Sequence, residues 1–196
     1  MKVPPNKRSA GKAKRRSPIS REEGERRLID ATIELLAEKT IGEIGVRDIA
    51  ARADVNHGFV HTWFGGKNAL LRRVVEKLLV SVAGTVRTAP SGSLVARPFD
   101  PDVQMVIRVV MWLALEGEEV ASLTDSAVIT ALTQRYVEVE GLSESDALIA
   151  AQQAVAISVA MVTYGHVVGV HSNEDTLKVF SLWRHIIGLL AEHPSP

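Results

Sequence analysis

The stretch 42–66 constrains the fold more than any other part of the chain. Gly42 and Gly45 open it and Gly65-Gly66 closes it. Glycine loses the most backbone entropy in a helix, so these sites break one. Between them lie two short runs with a helical period, 46–53 and 56–64, separated by Asp54-Val55. Such a pair packs only if particular positions are small or apolar. Ala50 is small where the two helices would cross, and Ile49 and Val55 point inward. Val60 and Phe64, four apart, share the buried face of the second helix.

The rest of the chain also reads as helix. Ser20 and Glu23 have the spacing of a capping box, in which each side chain satisfies the other's free backbone N–H. Leu28, Ile29, Ala31, Ile33, Leu35 and Leu36 then give one apolar face. A longer helix is expected from Lys67 to about residue 86, and the Pro-, Ser- and Gly-bearing stretch 90–101 reads as a linker. Further helices are expected at about 102–116, 119–122, 125–139, 144–170 and 174–192, with Ser143 and Asn173 as N-caps of the last two. With no period-2 strand and no internal repeat, the fold class is all-α. The expected division is a disordered basic arm over 1–19, a three-helix unit over 20–66 and a larger helical domain over 67–196, linked by the helix from 67.

Apolar residues make up 46% of the 196, enough for a real core. No cysteine is present, which removes disulfides and thiolate metal sites and fits a reducing cytoplasm. The basic N-terminus is followed by no apolar run of the kind a signal peptide has. The apolar stretch 148–170 is interrupted by Gln152, Gln153, Ser158, Thr163 and His166, so it reads as a buried helix of a soluble, cytoplasmic protein and not as a membrane span. Net charge is zero but unevenly spread. Residues 1–21 hold eight basic side chains and no acid, 22–78 hold nine and ten, and 79–196 hold six and thirteen. That asymmetry points to a polyanion partner at the N-terminal end. No nucleophile elbow, phosphate loop, paired-carboxylate motif or histidine triad is visible, so no enzyme is expected. His57 and His61 have a metal-ligand spacing but no third ligand nearby, and neither metal nor cofactor is implied.

Two short helices joined by a tight turn form a helix-turn-helix, whose second helix enters the DNA major groove. Leu28-Ile29-Asp30-Ala31, Val46-Arg47-Asp48-Ile49-Ala50, Ala53-Asp54-Val55-Asn56, His61-Thr62-Trp63-Phe64 and Lys67-Asn68-Ala69-Leu70-Leu71 follow in an order and spacing that resemble the TetR family of transcriptional regulators. The match runs over about residues 25–75. Three positions depart from the family pattern. Asp54 replaces a turn glycine, and Asp tolerates the left-handed conformation better than most residues. Asn56 replaces a Ser or Thr cap and caps equally well. His61 replaces a phosphate-binding Tyr with a shorter imidazole.

The residues expected at DNA are Arg47, Asn56, His57, Gly58, Phe59, His61, Thr62, Trp63 and Lys67, with Arg15 and Arg16 on the arm. Phe59 is placed to touch a thymine methyl, and Lys67, at a helix start, to meet a phosphate. Trp63 serves equally as a contact or a core residue. The arm reads as a minor-groove or phosphate contact, or as a solubilising tail.

The resemblance implies a homodimer on a double-stranded DNA operator, with a small apolar effector in the second domain. Candidate effector contacts are Phe99, Met105, Met111, Trp112, Met161, Tyr164 and His166; the alternative for each is plain core. Candidate dimer contacts are Ala154, Ala160, Gly165, Gly169, Val179, Trp183, Ile186, Ile187 and Leu190; the alternative is the subunit's own core. The leading expectation is a repressor that binds a palindromic operator as a dimer and is released by a small, largely apolar effector; the alternatives are constitutive or partner-controlled DNA binding, and activation in place of repression.

Overall fold

A computed structural model of the protein describes residues 19–90, 99–124 and 127–192, and every regular element among them is helical. In chain order these are α1 (Arg21–Glu38), a 3-10 turn at Ile41–Glu43, α2 (Val46–Ala53), a short helical turn at Val60–Phe64, α3 (Lys67–Thr88), α4 (Pro101–Leu115), α5 (Ala121–Thr124), α6 (Ala127–Glu138), α7 (Glu144–Tyr164) and α8 (Asn173–Glu192). The expected N-terminal arm lies outside the described residues.

Local chemistry sets the helix ends. The Ser20 hydroxyl accepts the Glu23 N–H at 3.2 Å. The Glu23 carboxylate does not close the expected box, because Arg26 and Arg27 take it at 2.7 Å. The Asp48 carboxylate accepts the Gly45 N–H at 2.8 Å and starts α2. Ser143 caps α7 as expected, accepting from Asp146 at 3.1 Å. Ser172, not Asn173, caps α8, accepting from Asp175 at 3.1 Å. α7 stops at Tyr164, short of the expected residue 170, and the chain turns through Gly169 at a φ of +83°. An L side chain rarely adopts that φ, so the apolar run cannot continue as one helix.

Two cores form. The first joins α1, α2, the turn at Val60–Phe64, the first half of α3 and the buried face of α4, through Leu28, Ile49, Val60, Leu70, Val74 and Leu113. The second joins the end of α3 to α6, α7 and α8, through Val86, Leu132, Tyr136, Ala151, Ala154 and Ile187. The alanines of α7 let its backbone approach α6 closely. The break at Gly65-Gly66 is real, but the first core extends past it, because α3 belongs to both.

Arg135 of α6 is buried, and its guanidinium donates to the Ala89 and Pro90 carbonyls, each at 2.7 Å. It thereby satisfies carbonyls just beyond the C-terminus of α3. Arg135→Met keeps the apolar stem and loses both bonds. It is expected to lower unfolding free energy by about 2–3 kcal/mol, measured by urea denaturation; a change under about 0.5 kcal/mol would show that the bonds contribute little.

Candidate nucleic-acid interface

The helix-turn-helix is held from behind by charge. Arg52 of α2 donates to Glu38 at 2.8 Å and Glu34 at 3.3 Å on α1. The bond from Arg52 holds the Glu38 carboxyl below its ordinary range, and Glu38 in turn raises Arg52. α2 ends at Asp54, whose φ of +54° is left-handed, and the Val55 N–H closes back on the Ala50 carbonyl at 3.0 Å. Asp54 therefore performs the turn that a glycine would otherwise make.

The second element is shorter and wider than the helix expected over 56–64. The Asn56 side-chain oxygen accepts the Gly58 N–H at 2.8 Å, and regular winding gives way to a widened turn at Val60–Phe64. Gly65, at a φ of +90°, ends it. Val60 is fully buried, while Phe59 and Trp63 stack at 4.1 Å between ring centroids and 11° between planes. The Trp63 ring also lies against Gly24 of α1, where an added Cβ would sit 2.5 Å from it. Trp63 and Phe59 are thus half-buried packing residues that fasten the reading turn to the first core. This resolves the open reading of Trp63 towards packing and moves Phe59 away from a free thymine contact.

What remains exposed is polar. Arg47, Asn56, His57, His61 and Thr62 are exposed and Gly58 is half-buried. The Thr62 hydroxyl donates to the Gly58 carbonyl at 3.1 Å, so towards a base it offers acceptor lone pairs. The Asn56 amide nitrogen remains a donor, since its oxygen is the group used in capping.

Lys67 departs from its expected role. Its ammonium donates to the Ile41 carbonyl at 2.6 Å and lies 5.5 Å from the centre of the Trp112 ring. Burial lowers its pKa below the ordinary lysine range. The side chain ties α3 to the Ile41–Glu43 turn and to α4 instead of reaching a phosphate, because the tertiary fold brings the Ile41 carbonyl and an aromatic face within its span. Arg15 and Arg16 lie outside the described residues.

Residues 28–74 match the model of bacterial regulatory proteins, tetR family. That match spans 47 of the 196 residues and takes in the whole helix-turn-helix. The HTH-type transcriptional repressor Rv3405c of Mycobacterium tuberculosis is 28% identical over 153 residues, covering 76% of this chain and 74% of that protein. Among solved structures, the TetR family repressor AlkX from a Dietzia species superposes with a TM-score of 0.59 at 18% identity, covering 92% of this chain and 98% of that one. A TetR variant from Acinetobacter baumannii in complex with minocycline superposes with a TM-score of 0.53 at 17% identity, covering 86% and 97%. These structures share the fold.

A partly open cavity of about 170 Å³ lies between α3, α4, α6 and α7. Its wall is almost entirely aliphatic, with Leu79, Val106, Ile107, Val110, Leu132 and Val155 prominent. Its one hydroxyl, Ser158, is spent on the Ala154 carbonyl at 2.8 Å. Of the seven effector candidates only Met111 lines this cavity. Met105 and Trp112 pack in the first core, Phe99 and Met161 line a separate cleft, and Tyr164 and His166 are exposed. A signal was present in the sequence: Val103, Val106, Ile107 and Val110 form a branched aliphatic stripe at helical spacing on α4.

The dimer candidates divide. Ala154 and Ile187 are buried within one subunit, and Trp183 packs beside Tyr136 with centroids 5.8 Å apart, so all three face inward. Val179 and Ala160 are half-buried, and Gly165 is buried against the Met161 carbonyl. Ile186 and Gly169 are exposed; the Leu190 side chain is not among those described. The exposed apolar stripe on α8 is Leu182, Ile186 and Leu189, with Leu148 and Ile149 exposed on α7. Its Leu189 was missed because α8 has apolar residues on two faces and the sequence does not say which face is covered.

In an ordinary helix Gly→Ala stabilises by about 1 kcal/mol. At Gly24 the sign reverses, because the added methyl meets the stacked Trp63 ring. Gly24→Ala is expected to destabilise by about 1–3 kcal/mol and to alter Trp63 fluorescence. A raised melting temperature with unchanged emission would refute the packing role of Trp63.

Proposed function

We propose that this chain is a dimeric repressor which binds an inverted-repeat operator and releases it when a small aliphatic effector enters the cavity between α3, α4, α6 and α7. The observation that carries this reading is the position of α3. The end that lines the cavity, at Leu79, Val82 and Val86, continues as one helix into the end that packs beneath the reading turn, at Leu70, Leu71 and Val74. An occupant that favours a shifted α3 changes the separation of the two reading turns, which is a population shift set by its differential affinity for the two states.

At the operator, Arg47, Asn56, His57, His61 and Thr62 supply the contacts, Gly58 allows close backbone approach, and the arm with Arg15 and Arg16 adds phosphate neutralisation. The dimer rests on Leu182, Ile186 and Leu189 with Leu148 and Ile149. α7 is long and apolar enough by length and composition to cross a membrane, with 28% of its apolar window buried within one subunit. Its exposed side carries Gln152 and Gln153, which suits a second protein copy better than lipid. A cavity of about 150 Å³ holds benzene, so 170 Å³ suits a body of about six carbons.

Selection from random duplex DNA tests the DNA half. An inverted repeat should be enriched. Thr62→Ala is expected to relax preference at one position of each half-site by about 1–3 kcal/mol. Removing residues 1–19 should flatten the salt dependence of binding. Enrichment of no sequence would sink the operator reading.

Two further substitutions separate the other claims. Leu182→Glu should yield monomers by sedimentation and lose tight operator binding. Ile107→Phe, which narrows the cavity, should keep operator affinity within about twofold while abolishing release by hexane, cyclohexane or hexanol. If none of these releases the unaltered protein from DNA, control without an effector takes its place.

A further inference from the structure

A second cavity opens beyond α4, walled by α4, the C-terminal end of α7 and the entry to α8. Its volume of about 380 Å³ falls within the range of small-molecule sites. Its chemistry is unlike that of the aliphatic cavity. Gln104 and Arg108, one turn apart on α4, approach it from one side, and His171 and Asn173 from the other, while Phe99 and Met161 add apolar wall. Arg108 is the one lysine or arginine of the lining and, like Arg47 and Arg87, it has no carboxylate partner among the described residues. Arg21, Arg26, Arg27, Arg52, Arg72 and Arg73 each pair with a carboxylate. Arg108 lines the cavity with neither ion pair nor hydrogen bond among the described residues, and the Gln104 and Asn173 side chains are likewise unbonded there.

No carboxylate is part of the lining, and Asp175, beside His171, is engaged elsewhere. Asp175 accepts from the Ser172 hydroxyl at 2.8 Å and lies 4.0 Å from Lys178, so its charge is already engaged. The first turn of α8 is capped by Ser172. Attraction for an anion therefore comes from Arg108 and not from the helix end.

We propose that this cleft is a second binding site, selective for an organic carboxylate with a compact apolar body. The Arg108 guanidinium takes both carboxylate oxygens in the fork geometry that suits this pair. The Gln104 and Asn173 amides and the His171 ring donate at the edge, and Phe99 and Met161 cover the body. The site differs from the proposed effector cavity in walls, polarity and ligand class, so either can fail without the other.

Calorimetric titration of the full chain at pH 7 with benzoate, phenylacetate and cyclohexanecarboxylate tests this, with benzamide as the uncharged counterpart of benzoate. At least one carboxylate is expected to bind with a Kd of about 1 mM or tighter, and benzamide about tenfold or more weaker than benzoate. Arg108→Gln should weaken the carboxylate at least about tenfold with an unchanged melting temperature, since the side chain is exposed and makes no internal bond. Ile107→Phe should leave carboxylate binding intact. The proposal is overturned if no carboxylate gives heat at about ten times that concentration, if benzamide binds as well as benzoate, or if Arg108→Gln binds unchanged. Binding lost in Ile107→Phe but kept in Arg108→Gln would place the ligand in the aliphatic cavity and overturn it as well.

Discussion

α3 is a single rod of 22 residues buried in two different cores, and most of the molecule is arranged around that fact. Leu70, Leu71, Val74 and Val75 belong with α1, α2 and the reading turn, while Ala83 and Val86 belong with α6, α7 and α8. An α-helix with its ladder intact is stiff over this length, so neither core can move without loading the other. The ends are also fastened. Lys67 ties the start to the Ile41 carbonyl, and Asn68 and Arg72 hold Glu118 beyond α4 at 3.1 and 3.2 Å, which keeps that carboxyl below its ordinary range. Arg135 closes on the carbonyls just past the far end.

The exposed face of the helix-turn-helix is made largely by subtraction. The aromatic side chains of the reading turn are consumed in packing, Trp63 over Gly24 and Phe59 stacked on Trp63. Short polar groups and one arginine are left outward. Such a face carries little positive charge of its own. The sequence concentrates its positive charge earlier instead: residues 1–20, ahead of α1, hold seven basic residues and no acid.

α4 has a comparable double use in the second domain. One face supplies the aliphatic stripe of the inner cavity, and Gln104 and Arg108 stand on another, at the polar cleft. Its C-terminal end carries Trp112 beneath the Lys67 ammonium and against Gly42. The helix that lines the aliphatic cavity is thus in direct contact with the N-terminal helices, through Trp112.

Local signals alone determined the all-helical class, the boundaries of α2, the Ser143 cap and the turn at Asp54, because each depends on residues a few positions apart. The same locality explains what was illegible. Lys67 reads as a phosphate ligand until Ile41 and Trp112, distant in sequence, come within reach of it. Ala154 and Ile187 read as interface until the second core buries them, and Leu189 goes unnoticed until its face of α8 is left bare. Met105 and Trp112 read as effector contacts until the first core claims them. Periodicity shows that a helix has an apolar face but not what fills the space opposite it. That is settled only by the packing of helices far apart in sequence, and here the packing placed the cavity, the cleft and the exposed stripe.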